Sequence, residues 1–83
     1  MEIKFTPSQY EFLKANLLNE DEVLFNILEQ SKTKDYHFNL SEEDICAISD
    51  WAGEKLQAIG FDKNYDVNEK GRYLEGIIDI LYI

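Results

Sequence analysis

The sequence predicts a mainly α-helical, compact four-helix domain, with two short extended segments that can pair as a two-stranded β-ribbon. Apolar residues recur at three- and four-residue spacing in four segments, which is the period of a helix with one buried face. Each of these segments begins next to a residue whose side chain can cap a helix. Apolar residues form 45% of the 83, whereas a disordered acidic chain would contain far fewer.

The N-terminal residues predict a short strand followed by the first helix. Ile3 and Phe5 alternate with polar neighbours, as in an extended segment. Thr6 is placed to cap the helix, with Pro7 at the first helical position and Gln9 at the capping-box position. The apolar face of this helix comprises Tyr10, Leu13 and Leu17.

The second helix is predicted to begin at Asn19, because the three acids that follow would complement the positive end of its dipole. Its apolar stripe comprises Val23, Leu24, Ile27 and Leu28. The polar segment 31–34 is predicted to end this helix, and residues 36–40 alternate again. Segments 3–6 and 38–41 each lead into a hydroxyl cap, so they can pair as a ribbon that helices would have to cover.

The third and fourth helices follow the second extended segment. Ser41 is predicted to cap the third helix and Gly60 to end it. The buried stripe of the third helix comprises Ile45, Ile48, Ala52, Leu56 and Ile59. After a loop, Asn68 is predicted to cap the fourth helix, where Gly71 and Gly76 can mark close packing between helices. The inward face of the fourth helix comprises Leu74, Ile77, Ile78 and Leu81.

The length and composition predict one domain that spans residues 1–83. A single Cys excludes an internal disulfide, so the core must come from aliphatic and aromatic side chains. No basic start followed by an apolar run resembles a signal peptide, and no apolar run approaches the ~20 residues of a membrane span. We therefore expect a soluble, cytoplasmic protein.

The charge balance is strongly acidic, with 17 Asp and Glu against 8 Lys and Arg and a formal net charge of −9. Proteins that bind nucleic acid or anionic lipid carry clustered cations, so direct binding of either is not expected. A negative field can instead speed association with a basic protein partner. The alternative is that the acidity only keeps a small protein soluble.

The acidic residues of the third helix are the first candidate contact surface. Glu43, Asp50 and Glu54 are spaced i, i+7 and i+11, which places them on one side of the helix, opposite its apolar stripe. Exposed helices usually intersperse Lys or Arg four residues from their acids, but here only Lys55 is close. The alternative is an ordinary solvated face whose first-turn acids complement the helix dipole.

The loop after the third helix is the second candidate. Residues 62–66 (D-K-N-Y-D) match the first half of a calcium-binding loop. Val67 and Tyr73 stand where that loop needs Gly and a bidentate Glu, which favours a turn whose side chains bond their own backbone. We expect neither a metal nor a cofactor in this chain. The candidate partner contacts in the loop are Asp62, Tyr65 and Asp66.

No group of residues in the sequence indicates catalysis. His37 is the only histidine and Cys46 the only cysteine, so one chain cannot supply a zinc site. Cys46 could act as a nucleophile only with His37 as its base, and a buried cysteine is the favoured interpretation. The four glycines are isolated, which excludes a phosphate-binding loop, and a small helical domain has little room for a cleft between paired carboxylates. We therefore expect a protein that is not an enzyme.

Residues 53–82 resemble the C-terminal part of small bacterial proteins, some of which are similar to toxin-immunity proteins. The resemblance covers about a third of the chain and rests on G-F-D-x-N-Y at 60–65 and L-E-x-x-I-D at 74–79. The overall profile also resembles colicin DNase immunity proteins, which are small, acidic, helical inhibitors of a basic nuclease. The Tyr-Tyr-Pro element of those proteins is missing here, so no contact residue carries over.

The resemblance implies an immunity or antitoxin protein that inhibits a basic bacterial toxin, such as a nuclease, by covering its active or substrate-binding surface. Two alternatives are compatible with the same acidity and stay open. The chain could be a phage or mobile-element protein that mimics DNA and occupies a nucleic-acid-binding protein. It could also be an adaptor or structural subunit that forms homodimers through exposed aromatic residues.

Overall fold

Four helices and three short strands form the part of the chain that the structure describes, residues 1–82 of a computed structural model. In chain order they are β1 (Glu2–Lys4), α1 (Pro7–Glu20), α2 (Glu22–Gln30), β2 (Lys32–Lys34), β3 (His37–Asn39), α3 (Glu42–Ile59) and α4 (Glu69–Leu81). The described chain is therefore mainly helical with short β elements, as the sequence predicts.

The strands form one antiparallel sheet in the order β1, β3, β2. Ile3 in β1 lies opposite Phe38 in β3, so the predicted pairing of the two extended segments is confirmed. The prediction that residues 31–34 end α2 is confirmed, since the helix stops at Gln30, but Lys32–Lys34 also adds a third strand, not predicted, along the other side of β3. All three of its side chains are exposed and none is apolar, so this strand leaves no alternating pattern in the sequence.

Side-chain caps define where helices α1 and α3 begin. Gln9 N donates to Thr6 Oγ1 at 3.1 Å and Thr6 N donates to Gln9 Oε1 at 2.9 Å, which completes the predicted capping box of α1. Asp44 N donates to Ser41 Oγ at 3.2 Å, so the predicted cap of α3 is also confirmed. The cap oxygens satisfy backbone N–H groups that have no partner within their own helix.

The predicted start of α2 at Asn19 is wrong. Helix α1 continues to Glu20, and Asn19 Nδ2 donates to Ala15 O at 2.9 Å within that helix. Asp21 is the cap instead, since its Oδ1 accepts a hydrogen bond from Leu24 N at 3.0 Å. Asn and Asp are equally good caps, and no Gly or Pro near Asn19 stops α1 earlier.

The core combines apolar side chains from all four helices and from β1 and β3. The buried members of the predicted helix stripes are Leu13, Leu17, Leu24, Leu28, Ile45, Ile48, Ala52, Leu74, Ile77 and Leu81. The half-buried members are Tyr10, Ile27, Leu56, Ile59 and Ile78. The prediction is wrong for Val23, which exposes 71% of its surface because no element of residues 1–82 covers that side of α2.

Helices α3 and α4 approach each other closely at two glycines. Gly60 ends α3 as predicted, but its φ of −80° is one that any residue adopts. The surroundings explain this glycine, since a Cβ on Gly60 would lie 2.6 Å from Leu56 O in its own helix and 3.2 Å from Gly71 Cα in α4. A Cβ on Gly71 would lie 3.0 Å from the Gly60 carbonyl carbon and 2.8 Å from Val67 Cγ1. The prediction that Gly71 marks close helix packing is therefore confirmed.

Asn68 joins the same two helices through its side chain. Its Oδ1 accepts a hydrogen bond from Gly71 N at 2.8 Å and caps α4 as predicted. Its Nδ2 donates to Ile59 O, at the end of α3, at 2.7 Å. The backbone Asn68 N donates to Gly60 O at 2.9 Å. One residue thus fixes the start of α4 against the end of α3.

Candidate functional site

An open cleft of about 480 Å³ lies between α2 and α3. From α3 it is lined by Ala47, Asp50, Trp51 and Glu54. From α2 and its cap it is lined by Asp21, Val23, Leu24 and Ile27. Apolar side chains and three carboxylates therefore share one concave surface, which we call the α2–α3 cleft.

The helix period accounts for the α3 side of the cleft. The four α3 residues are spaced i, i+3, i+4 and i+7, so they lie in one stripe along the helix. The opposite side of α3 is held in the core by Ile45, Ile48 and Ala52, which are buried. Because the core fixes the rotation of α3, the stripe faces outward.

The α2 side of the cleft is both apolar and accessible. Val23 is exposed, although the same helix buries Leu24 and Leu28 in the core. Val23 and Ile27 are spaced i and i+4, so they form an aliphatic edge beside the buried side of α2. The removal of such a surface from water by a partner is favourable.

The carboxylates of the cleft are not neutralised by any ion pair within the described residues. Within residues 1–82, no ion pair includes Asp21, Asp50 or Glu54. Lys55 is the basic residue of α3, and its Nζ pairs with the Glu20 carboxylate at the end of α1. The cation nearest along the helix is therefore already paired, and the cleft keeps its negative charge.

Trp51 lines the cleft and also a neighbouring hollow of about 230 Å³ beside Lys55 and Ala58. Its side chain is half-buried, and Nε1 is buried with no hydrogen-bond partner within residues 1–82. Most buried polar atoms in proteins are hydrogen-bonded, so this N–H is unusual. The sequence contains one Trp, so tryptophan fluorescence reports on this region alone.

The structure divides the six predicted contact residues between two regions. Asp50 and Glu54 line the cleft, and Glu43 lies on the same side of α3, one turn before the lining residues. All three acids are exposed. The loop beyond the other end of α3 lies roughly 24 Å from Glu43 along the helix axis, at about 1.5 Å per residue. That loop contains Asp62, Tyr65 and Asp66.

The loop between α3 and α4 is a turn held by its own side chains. Asp62 Oδ1 accepts hydrogen bonds from Asn64 N at 2.8 Å and Asp66 N at 3.1 Å, which confirms the predicted turn. Tyr65 has a φ of 64° and is 87% exposed. A left-handed backbone is uncommon for a tyrosine, and here it belongs to a hydrogen-bonded turn that presents the ring to solvent.

His37 and Cys46 occupy different kinds of position. His37 Nδ1 lies 3.3 Å from Glu2 Oε1, a contact that joins β3 to β1. Cys46 is exposed, so the interpretation of a buried cysteine is wrong. The side of α3 that enters the core includes Ile45 and Ile48, and Cys46 falls outside it. Among residues 1–82, no three His, Cys, Asp or Glu side chains are grouped so that they could hold a metal ion.

Tyr10 lies outside the cleft and links α1 to α2. Its hydroxyl donates a hydrogen bond to Glu29 Oε1. Burial raises the pKa of Tyr10 to about 12, and the hydrogen bond and negative charge of Glu29 act in the same direction. The ring also packs against Tyr36 and Phe38, with centroids 5.8 Å and 5.9 Å away. The group therefore has a structural role, in which it holds α1, α2 and the sheet together.

A second hollow, of about 450 Å³, lies between α1 and α4. Phe12 and Tyr73 stack there with ring centroids 5.6 Å apart. Glu11 is the one carboxylate in its lining, whereas three line the α2–α3 cleft. The cleft therefore has the stronger combination of accessible apolar surface and negative charge.

No protein-family model matches the chain, and neither a curated protein nor a solved structure matches it. None of the helices within residues 1–82 has both the length and the apolar character that a membrane crossing requires.

Proposed function

We propose that this protein is a cytoplasmic, non-enzymatic inhibitor of a basic protein, and that its partner is a bacterial toxin against which it provides immunity. The observation that supports this proposal is the α2–α3 cleft, where accessible apolar side chains lie beside carboxylates that have no ion pairs within residues 1–82. Protein interfaces combine an apolar centre with a polar rim, and the cleft has both.

Two physical effects act in turn when the partner binds. The net charge of −9 attracts a cationic surface within about 8–10 Å at physiological salt, and this attraction raises the association rate. Burial of Val23, Ile27 and Trp51 then slows dissociation, because apolar and aromatic side chains supply much of the binding energy at interface centres. The bound inhibitor covers the cationic surface of the partner and blocks access of its substrate.

A nuclease is the kind of toxin that this mechanism suits best. Enzymes that act on nucleic acid present Lys and Arg to phosphate groups, so their substrate site is a cationic surface. An acidic inhibitor that covers those side chains excludes the substrate and needs no chemistry of its own. The resemblance of residues 53–82 to immunity proteins supports the same role.

The turn at residues 62–66 extends the contact surface in this proposal. Tyr65 is largely exposed, and Tyr is one of the residues that most often anchor protein interfaces. Asp62 and Asp66 lie beside it in the turn, and Glu43 continues the acidic side of α3 at the opposite end. A partner that spans the length of α3 would contact both regions.

Co-expression in a bacterial host tests the proposed function. The reading frame beside the gene of this protein is expressed with and without it. We expect the neighbour alone to stop growth and co-expression to restore it, and the purified pair should associate more slowly as salt is raised. Cell death despite co-expression would contradict the immunity role. Binding to several unrelated basic proteins in competition with DNA would instead indicate a DNA mimic.

A further inference from the structure

We infer that the α2–α3 cleft binds one basic amphipathic α-helix of the partner. In this arrangement aliphatic side chains of that helix enter the cleft, and its Lys or Arg side chains contact Asp50 and Glu54. This inference rests on the proposed function, because it assumes a basic protein partner. It adds the kind of segment by which that partner would bind the α2–α3 cleft. Spacing, accessibility and charge each support it.

The spacing of the α3 residues favours a helix as the occupant. Ala47, Asp50, Trp51 and Glu54 repeat at i, i+3, i+4 and i+7, the pattern by which one helix packs against another. Helix α2 lines one side of this stripe, and the cleft between the two helices is open. The stripe extends over about two helical turns, roughly 10 Å at 1.5 Å per residue. Amphipathic helices bind in apolar grooves through anchors with the same repeat.

The apolar floor of the cleft is accessible to such a helix. Val23 exposes 71% of its surface, and Ile27 and Trp51 are half-buried. These side chains lie between the two helices, so a single inserted row of aliphatic side chains can contact α2 and α3 together.

Charge complementarity determines that the helix is basic. Asp50 and Glu54 are one turn apart, so cations four residues apart on a partner helix match their separation of about 6 Å. Asp21 adds a carboxylate on the α2 side, which places negative charge on both rims of the apolar floor. The nearby Lys55 is paired with Glu20 and leaves these acids available. An acidic or neutral helix would leave them facing apolar or like-charged groups.

The single tryptophan provides the measurement. The full chain is titrated with a synthetic peptide of about 18 residues that has Leu on one helical face and Lys on the other. We expect Trp51 emission to change on binding and the affinity to fall as salt is raised. A peptide of the same composition in which Leu and Lys alternate, a pattern that suits a strand, should bind about tenfold more weakly.

Paired charge reversals locate the bound peptide. Asp50→Lys with Glu54→Lys should weaken binding about tenfold or more, because two attractions become repulsions. Glu75→Lys with Asp79→Lys is the matched control, since it makes the same i, i+4 change in total charge at exposed positions of α4. Both pairs lie at exposed positions, so all four substitutions are compatible with folding.

A second pair of variants tests the apolar contact. Val23→Ser removes an exposed aliphatic group from the cleft and should weaken peptide binding several-fold. Tyr82→Ser removes an exposed apolar group outside the cleft and should leave binding unchanged. Neither side chain belongs to the buried core, so folding is retained in both.

The inference is overturned by any of three results. These are unchanged Trp51 emission with the helical peptide, equal binding of the alternating peptide, and equal weakening by the control charge reversals. The co-expression experiment judges the proposed function separately. If the toxin is neutralised equally well by the Asp50→Lys, Glu54→Lys variant, the immunity role stands and the cleft is excluded. Peptide binding at the cleft without rescue supports the inference and removes the immunity role.

Discussion

The hydroxyl of Tyr10 makes the stability of the folded chain sensitive to alkaline pH. Burial and Glu29 raise its pKa from 10.0 to about 12, so the native state holds this proton more tightly than the unfolded chain does. Its contribution is therefore complete below about pH 10 and is lost as the pH rises to about 12. We expect the free energy of unfolding, measured by urea denaturation, to fall over this range.

Tyr10→Phe isolates that contribution from other groups that titrate at high pH. The variant keeps the ring that packs on Phe38 but has no proton to lose. Its stability should therefore decline less steeply above pH 10, and its ultraviolet titration should lack the tyrosinate step near pH 12. An identical decline in the two proteins would mean that the pKa of Tyr10 does not differ between the folded and the unfolded chain.

Asn68 is a second residue whose side chain has two separable roles. Asn68→Ala removes both the cap of α4 and the bond to Ile59 O, and we expect it to cost about 2 kcal/mol. Asn68→Asp keeps an acceptor for Gly71 N but loses the Nδ2 donor, so it should cost about 1 kcal/mol. Urea denaturation gives both values. Equal losses would show that only the donor to Ile59 matters.

At the scale of elements, the contact between α3 and α4 depends on the absence of a side chain at Gly71. Gly71→Ala places a Cβ against Gly60 backbone atoms, which cannot rotate away, and should lower the free energy of unfolding by about 1–3 kcal/mol. Gly53→Ala is the matched control, because a Cβ there would meet nothing within 4 Å. That variant should be more stable by about 0.5–1 kcal/mol, the usual gain from Ala in a helix. Thermal denaturation would contradict this account if both variants shifted in the same direction.

The starts of some helices are determined by local chemistry and could be predicted from the sequence. Thr6, Ser41 and Asn68 could be predicted as caps because each bonds a backbone N–H three residues further along the chain. Asn19 could not be excluded, since Asp21 is an equivalent cap and the choice depends on how far α1 extends. Strand β2 could not be predicted either. Its position depends on backbone pairing with β3, and its three exposed side chains give no alternating pattern that would indicate a strand.

The site was predictable to the extent that one helix contains it. The spacing of Asp50 and Glu54 opposite Ile45 and Ile48 is enough to place both acids on the outer side of α3. The α2 side of the cleft could not be predicted. The periodicity of α2 indicates an apolar side, but it does not show which of those residues another element covers. Val23 therefore looked like a core residue, and only the packing of α2 on α3 places it at the cleft.

At the scale of the whole molecule, the net charge of −9 should keep the protein monomeric. A symmetric dimer through the cleft would bring Asp50 and Glu54 of one copy against the same acids of the other. We expect light scattering to give the mass of one chain at low and at high protein concentration. A mass that doubles with concentration would support the homodimeric adaptor that forms through exposed aromatic residues.

The lysines of β2 should determine the kind of aggregate that forms when copies of the chain no longer repel each other through their net charge. Near the isoelectric point of about pH 4.4 the net charge is close to zero and copies of the chain no longer repel each other, which leaves the side chains at the sheet edge, Lys32 and Lys34 among them, to oppose association. Along the described chain, β2 borders the sheet with β3 on one side only, and positive side chains on such a border discourage strand addition by a neighbour. Acid-precipitated material should therefore be amorphous, bind no amyloid dye, and redissolve at neutral pH. Lys32→Thr with Lys34→Thr removes both charges from the edge strand. This double variant should form fibrils by strand addition at β2.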